Sequence, residues 1–312
     1  MSHAPKDADP TKADLGRNGS VEPADPQGSL IARHTNDAGQ FLERVGGFLR
    51  RRPVEHSVLL STAAKRVGAA GVGPEPDLWL WVEDGGDVVA TAQHTPPRGA
   101  YLSTGPAAAM RALAGALRTL RPGLPGVSGL DTSPYEFAAQ WSRLGGPQAT
   151  PAMRLGLYAA AEVSIPPDVP GRLRLATHAD ASVLRGWADQ FFTESGATSA
   201  GSDEIGARID ARLLVVWEVD GAAVSMAATT VAQGGVSRVN FVYTPVEKRG
   251  RGFASACVAT LTAHELAMPG RTCMLYTDLA NPTSNGIYQA VGYRRVGDAV
   301  ELEFDAARPD RG

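Results

Sequence analysis

The sequence predicts an α/β fold, an α+β mixed sheet flanked by helices, built twice in two tandem lobes. Three observations predict it. Strand-like and helix-like segments follow one another as a strand meander with a single strand–helix–strand crossover in each half. Between the halves, Ile165-Pro166-Pro167-Asp168-Val169-Pro170-Gly171 suits neither a helix interior nor a central strand, and reads as a linker. Two spaced patterns also recur across that linker. Trp81-x-x-Asp84-Gly85-x-x-Val88 is matched by Trp217-x-x-Asp220-Gly221-x-x-Val224, and Trp141-x-x-x-Gly145 by Tyr288-x-x-x-Gly292.

Residues 1–35 are polar and read as a disordered tail. From about Asn36 to Arg50, Phe41, Leu42, Val45, Phe48 and Leu49 fall at helical spacing, and a second amphipathic piece covers about Glu55 to Lys65. Leu78–Val82 and Val88–Gln93 are strands around the turn Glu83-Asp84-Gly85-Gly86-Asp87, and Ala100–Thr104 is another. Gly105-Pro106 opens a helix to about Leu120; Leu124–Leu130 is a short strand. Ser133-Pro134 opens a helix to about Arg143, stopped by Gly145-Gly146, and Met153–Val163 is a long strand. After the linker come a strand (Leu173–Ala176), helices at His178–Phe192 and Ser202–Arg208, and strands at Leu213–Val219 and Ala223–Val231. A strand from Arg238, a loop, a helix from about Phe253 to Met268, a strand at Thr272–Asp278, a helix at about Pro282–Val291 and a strand at Ala299–Phe304 complete the second half.

Composition narrows the class. At 312 residues the chain is long for one compact domain, and 43% apolar with 20% charged residues is ordinary for a globular protein. A net charge of −3 gives no basic field for nucleic acid. No apolar run is long enough to span a bilayer and no leader pattern opens the chain, so neither a nucleic-acid nor a membrane partner is expected, and the expected location is cytoplasmic. Cys257 and Cys273 read as reduced core residues, and neither they nor the six histidines have metal-ligand spacing.

The richest stretch is Arg238–Ala254. It begins as a β-branched and aromatic strand, breaks at Pro245, and passes through Arg249-Gly250-Arg251-Gly252 into an apolar helix. A strand, a glycine loop and a helix N-terminus together form an anion cradle, because the first helical amides have no partner inside the helix. Two arginines add charge suited to phosphate. The first half lacks this feature, since Thr104 is followed only by Gly105-Pro106 before its helix. Asn281, Asn285 and Tyr288 likewise correspond to Pro134, Ala138 and Trp141.

Arg249-x-x-Gly252-x-Ala254 after a strand, followed by Asn281, Tyr288 and Gly292-Tyr293 before a last strand, resembles the GNAT superfamily of acyl-CoA-dependent N-acyltransferases. The resemblance covers about Leu173–Phe304, and the first half only as a degenerate copy. It implies a degenerate GNAT-like domain over residues 36–165 and an N-acetyltransferase domain over 172–308. It implies acetyl-CoA as cosubstrate and no metal. The backbone of Phe241, Val242, Tyr243 and Thr244 would meet the pantetheine arm, with an amide polarising the thioester. Arg249, Gly250, Arg251, Gly252, Phe253 and Ala254 would hold the pyrophosphate. Asn281, Asn285 and Tyr288 would also contact the cofactor, with Tyr288 as the acid that protonates the leaving thiolate and Asn281, counted with it as catalytic, binding the pantetheine arm or an ordered water. Val246 departs from the pattern, standing where the family carries proline. Asn240 stands where some members carry a glutamate base, which leaves Glu194, Asp278 or water.

The expected reaction is direct attack of a primary amine on the thioester. The acceptor is a small molecule or peptide, with antibiotic, amino acid, polyamine and protein N-terminus all open, and a homodimer stays open as well. The alternative is a non-catalytic acyl-CoA-binding or partner-binding protein. A nucleotide hydrolase would need Gly-Lys-Ser/Thr after the loop, which is missing. A dinucleotide site would need the loop to open a βαβ unit rather than follow a meander. The loop His94-Thr95-Pro96-Pro97-Arg98 could face the cleft from the first lobe.

Overall fold

The computed structural model describes residues 18–21, 30–69, 75–195 and 204–304. The first half contains β1 (Asn18–Val21), β2 (Leu30–Thr35), α1 (Ala38–Arg50), α2 (Ser57–Arg66), β3 (Leu78–Asp84), β4 (Asp87–His94), β5 (Ala100–Leu102), α3 (Ala107–Leu120), β6 (Gly126–Leu130), α4 (Ser133–Arg143) and β7 (Ala149–Ala160). The second contains β8 (Arg172–Leu175), α5 (Ala181–Ser195), α6 (Glu204–Asp210), β9 (Leu214–Val219), β10 (Ala222–Thr229), β11 (Val236–Tyr243), α7 (Phe253–Leu266), β12 (Thr272–Asp278), α8 (Pro282–Ala290) and β13 (Arg294–Phe304). From β2 and from β8 onward the order of elements is the same.

Local chemistry places these elements. Asp37 caps α1 by accepting the amides of Gly39 and Gln40 at 2.7 and 3.0 Å, and the helix buries Phe41, Val45 and Leu49 at helical spacing. The two hairpins turn at Gly85–Gly86 and at Asp220–Gly221, all four residues having positive φ, as two-residue loops require. One expectation is corrected here. Residues 30–35, read as part of a disordered tail, form β2, antiparallel to β3. Their polar look misleads because Leu30, Ala32 and Thr35 are buried while Arg33 meets Glu83 at 3.1 Å. Residues 1–17 and 22–29 of that tail lie outside the described residues.

The thirteen strands among the described residues form one sheet, in the order β1-β2-β3-β4-β5-β6-β13-β7-β12-β11-β10-β9-β8. The halves therefore exchange their last strands. β7, from the first half, pairs antiparallel with β12, and β13, from the second, pairs antiparallel with β6. The two exchanged strands pair with each other from Arg294↔Ala159 to Phe304↔Ala149. The linker separates the halves along the sequence, while the sheet joins them in space. Leu130 and Leu157 of the first half and Val236, Met274 and Ala299 of the second share one core cluster at this seam. The exchanged strands also complete the distant cores. Val300, Leu302 and Phe304 of β13 join Trp141 beneath α3 and α4, and Tyr158 and Ala160 of β7 join the core beneath α7 and α8.

Candidate active site

A split in the sheet creates the site. β11 pairs parallel with β12 only at Val236, Ser237 and Arg238. Beyond Arg238 the two strands part, because each is held from its other side. β10 pairs with β11 as far as Tyr243, and β7 pairs with β12 as far as Asp278. Phe241 has φ +52, rare for an aromatic residue, and lies where the β10–β11 register shifts. This bulge turns the backbone at the mouth of the split. In the first half β5 ends while still paired with β6, through Leu102↔Gly129, so no comparable split forms. An open hollow of about 610 Å³ lies beside Thr104 and Gly105 there, lined also by Phe48, Arg51 and His56.

β11 leads into the cradle. The carbonyl of Tyr243 accepts from Ser225 Oγ at 3.1 Å and that of Thr244 from Arg249 Nε at 2.8 Å, so the strand's exit is fixed by side chains. Gly250 and Gly252 have φ +75 and +77, and Gly252 is the N-cap of α7 with no side-chain cap. The first amide bonded into α7 is that of Ala256, to Gly252 O at 2.9 Å. Ahead of it, among the described residues, the amides of Gly250, Arg251, Gly252, Phe253, Ala254 and Ser255 donate to nothing. The N-terminal end of the helix dipole is therefore uncompensated. Phe253 itself is buried in the core and offers only its amide, whereas Arg251 is exposed.

Arg249 is committed within the protein. Its Nη2 donates to Glu194 Oε2 at 2.7 Å, and the same carboxylate accepts from Tyr243 OH at 3.0 Å. Gln190 Oε1 lies 2.8 Å from the same hydroxyl, whose one hydrogen the two acceptors share, and the Tyr243 ring lies beneath the Arg249 guanidinium. The Arg249 hydrogen bond, with that of Tyr243, holds the Glu194 carboxyl below the usual carboxylate range. Glu194, one of the candidate bases, thus orders the loop arginine in this structure. Asp278, the other, accepts the amide of Ala280 at 2.8 Å.

α8 carries the second set of residues. Asn281 is its N-cap, accepting the Ser284 amide at 3.0 Å, and its side-chain NH2 donates to none of the described residues. Asn285 is fully engaged. Its Nδ2 donates to the carbonyls of Asp278 and Asn281 at 2.8 and 2.7 Å, and its Oδ1 accepts from Tyr158 OH at 3.0 Å. Tyr158 belongs to the first half and was not singled out from sequence; no local pattern announces a tyrosine that arrives on an exchanged strand. Tyr288 is buried in the cluster that contains Phe253, Val239 and Leu275, edge-on to Tyr293 at 6.0 Å. Its hydroxyl makes no hydrogen bond with the described residues, whereas that of Tyr293 bonds Thr262 Oγ1 at 2.8 Å. Burial pushes the Tyr288 phenol up to about 12. A phenol so raised keeps its proton at neutral pH and suits a donor. In the first half the corresponding Trp141 stacks between Phe137 and Phe304.

On the other face of the split, Phe191 and Phe192 flank Phe241 at 5.7 and 5.4 Å, and the Arg208 guanidinium lies 4.3 Å above the Phe241 ring. Cys257 and Cys273 are buried free thiols. Among the described residues no His, Cys, Asp and Glu side chains cluster as a metal site, and no helix is long and apolar enough to cross a membrane.

Comparison with known proteins bears on this arrangement. The family model described as FR47-like protein matches residues 218–301, which span the split, the cradle and α8. No curated protein matches the chain. Among solved structures, a GNAT-family acetyltransferase from Colwellia psychrerythraea is 12% identical with a TM-score of 0.54, over 93% of this chain and 100% of that one. A tandem GNAT protein from the clavulanic acid biosynthesis pathway is 14% identical with a TM-score of 0.51, over 88% and 98%. A Drosophila protein is 11% identical with a TM-score of 0.63, over 92% and 98%. At such identities the likeness concerns the fold.

Proposed function

We propose that this chain, which has the GNAT fold, is an N-acetyltransferase that uses acetyl-CoA and acetylates the amine of an acceptor by direct attack. The observation that carries the reading is the split between β11 and β12 leading to the unpartnered amides of Gly250 through Ser255. An extended thiol arm ending in a pyrophosphate fits a strand gap that ends on a helix N-terminus. Acetyl-CoA would supply the activated thioester.

The residues then take the following roles. The amides of the cradle bind the pyrophosphate, and Arg251 adds charge. The backbone between Phe241 and Thr244 lies along the gap, and an amide of this stretch would polarise the thioester carbonyl. Tyr288, protonated because it is buried, gives its proton to the departing sulfur. The attacking amine loses its proton to water, since Glu194 is tied to Arg249 and Asp278 to its own loop. Those same engagements favour the second reading, a protein that binds acyl-CoA without turnover.

Calorimetric titration with acetyl-CoA, followed by thiol release against a panel of amines, tests both. Binding with turnover supports the enzyme, and binding without turnover on any amine supports the second reading. No binding removes both.

A further inference from the structure

Arg238 is used by none of these roles, yet it sits at the root of the split. It closes the part of β11 that pairs with β12, three residues before the Phe241 bulge, which is roughly 10 Å along a strand. The guanidinium is half-buried, and its Nη1 is enclosed with no hydrogen-bond partner. Enclosed guanidinium groups are ordinarily paired, and a missing partner calls for an explanation.

The groups around it come from both halves of the chain. Tyr276 on β12 lies two residues beyond Met274, the β12 partner of Arg238, and its hydroxyl shares one hydrogen bond of 2.9 Å with that of Tyr101 on β5. A pair of hydroxyls joined by one bond keeps one hydrogen to give outward. The positively charged neighbours of Arg238 are two arginines. Arg208 reaches in from α6, where it also bonds Asn240, and Arg98 comes from the loop before β5. Among the described residues no carboxylate forms an ion pair with Arg238 or Arg98. Two acidic groups act on this cluster: Glu301 on β13, whose carboxyl is pushed up by burial, faces Tyr101 and Arg98, and Glu55, paired with Arg52 at 3.2 Å, faces Tyr276. Arg208 is itself paired with Glu204 at 3.1 Å, so the positive groups of this cluster without an ion pair among the described residues are Arg238 and Arg98, and the cluster lies on the α5–α6 side of the sheet, away from the α7 cradle. Arg238 lies two residues from Asn240, on the same face.

We infer that Arg238, with the Tyr101–Tyr276 hydroxyl pair and Arg98, binds a carboxylate of the acceptor, so that the substrate is an amine carrying a carboxylate within roughly 10 Å of the reacting nitrogen. This rests on the acetyltransferase reading and narrows its substrate class to amines of amino-acid or dipeptide size. It also gives the first lobe a function. That lobe has no cradle of its own, but it supplies Tyr101 and Arg98 to the acceptor end of the second lobe's site.

The test uses the full chain and a ladder of ω-amino acids from glycine to 6-aminohexanoate, each paired with the alkylamine of the same length. Calorimetry in the presence of CoA reads binding without turnover. At least one amino acid is expected to bind about tenfold or more tighter than its alkylamine. Arg238→Gln is expected to remove that preference, and Arg238→Lys to restore part of it. Acetyl-CoA affinity, measured separately, should stay as in the parent chain. Arg98→Gln provides a second variant should Arg238→Gln fail to fold, and it too is expected to weaken the preference. The proposal is overturned if no amino acid binds, if alkylamines bind equally well, or if the preference survives in both Gln variants. Loss of acetyl-CoA binding by the parent chain would instead overturn the acetyltransferase reading.

Discussion

Replacing Tyr288 by phenylalanine separates catalysis from packing. The hydroxyl makes no hydrogen bond with any described residue, so removing it breaks none of these and leaves the ring in its edge-on contact with Tyr293. The change in folding stability should stay within about 0.5 kcal/mol. Tyr293→Phe, only one ring away, is the internal control. It breaks a buried 2.8 Å bond to Thr262 and strands that hydroxyl, at a cost of about 1–3 kcal/mol. The activities should move the opposite way. General acid catalysis contributes typically about 10²–10⁴-fold, so Tyr288→Phe should lower kcat by that order while Tyr293→Phe largely spares it. Chemical denaturation reads the first quantity, and thiol release at saturating acetyl-CoA with an accepted amine reads the second. Because burial raises the phenol to about 12, its proton stays in place across the working range, and rates should show no alkaline decline from Tyr288 below about pH 11. A Tyr288→Phe enzyme within about threefold of the parent kcat, or as destabilised as Tyr293→Phe, would refute the assignment.

Three further outcomes follow from the same structure. Gly252→Ala should raise the acetyl-CoA KM by about tenfold with less effect on kcat, since φ is +77 and a Cβ would lie 3.0 Å from Val169 Cγ2; Gly250→Ala, with nothing within 4 Å, carries only the backbone strain and should do less, as steady-state kinetics will read. Cys257 and Cys273 should resist a thiol reagent in the folded chain and react on unfolding, because burial pushes both thiols up to about 12 from an ordinary value of 9.0. Folded thiols thus hold protons that unfolded ones release, so their contribution to stability is complete below about pH 9 and is lost as the pH rises toward 12, which denaturation midpoints across that interval will measure. Residues 30–165 expressed alone should fail to unfold cooperatively as a monomer, since β6 loses β13 and the Trp141 core loses Val300, Leu302 and Phe304; a cooperative monomer in sedimentation and denaturation experiments would contradict the importance of the exchange.

Much of the site was legible in the chain itself. Arg249-Gly250-Arg251-Gly252 declared a turn with left-handed positions before an apolar helix, and both glycines adopt positive φ. Asn281-Pro282 declared a helix start, and Asn281 caps α8. The absent loop after Thr104 declared a first half without a cradle, and α3 there begins at Ala107 after a Pro106 cap. Other features were not legible. Arg249 and Glu194 are far apart in sequence and meet only because α5 ends over β11. β2 looked like tail because its charged residues face partners that other strands supply.

The family resemblance implied the tyrosine helix beside the cradle, while composition, spacing and turn chemistry were enough to predict a mixed α/β chain with repeated element order and one anion cradle. Those are local properties, set by periodicity, φ preference and unpaired amides. Tertiary structure alone decided which strands pair. An extended strand offers the same backbone donors and acceptors to any neighbour, so neither β7 nor β13 carries a mark that it belongs beside the other half. That exchange brings Tyr158 to Asn285 and holds β12 away from β11. The joined sheet likewise places Tyr101 of the first lobe against Tyr276 of the second.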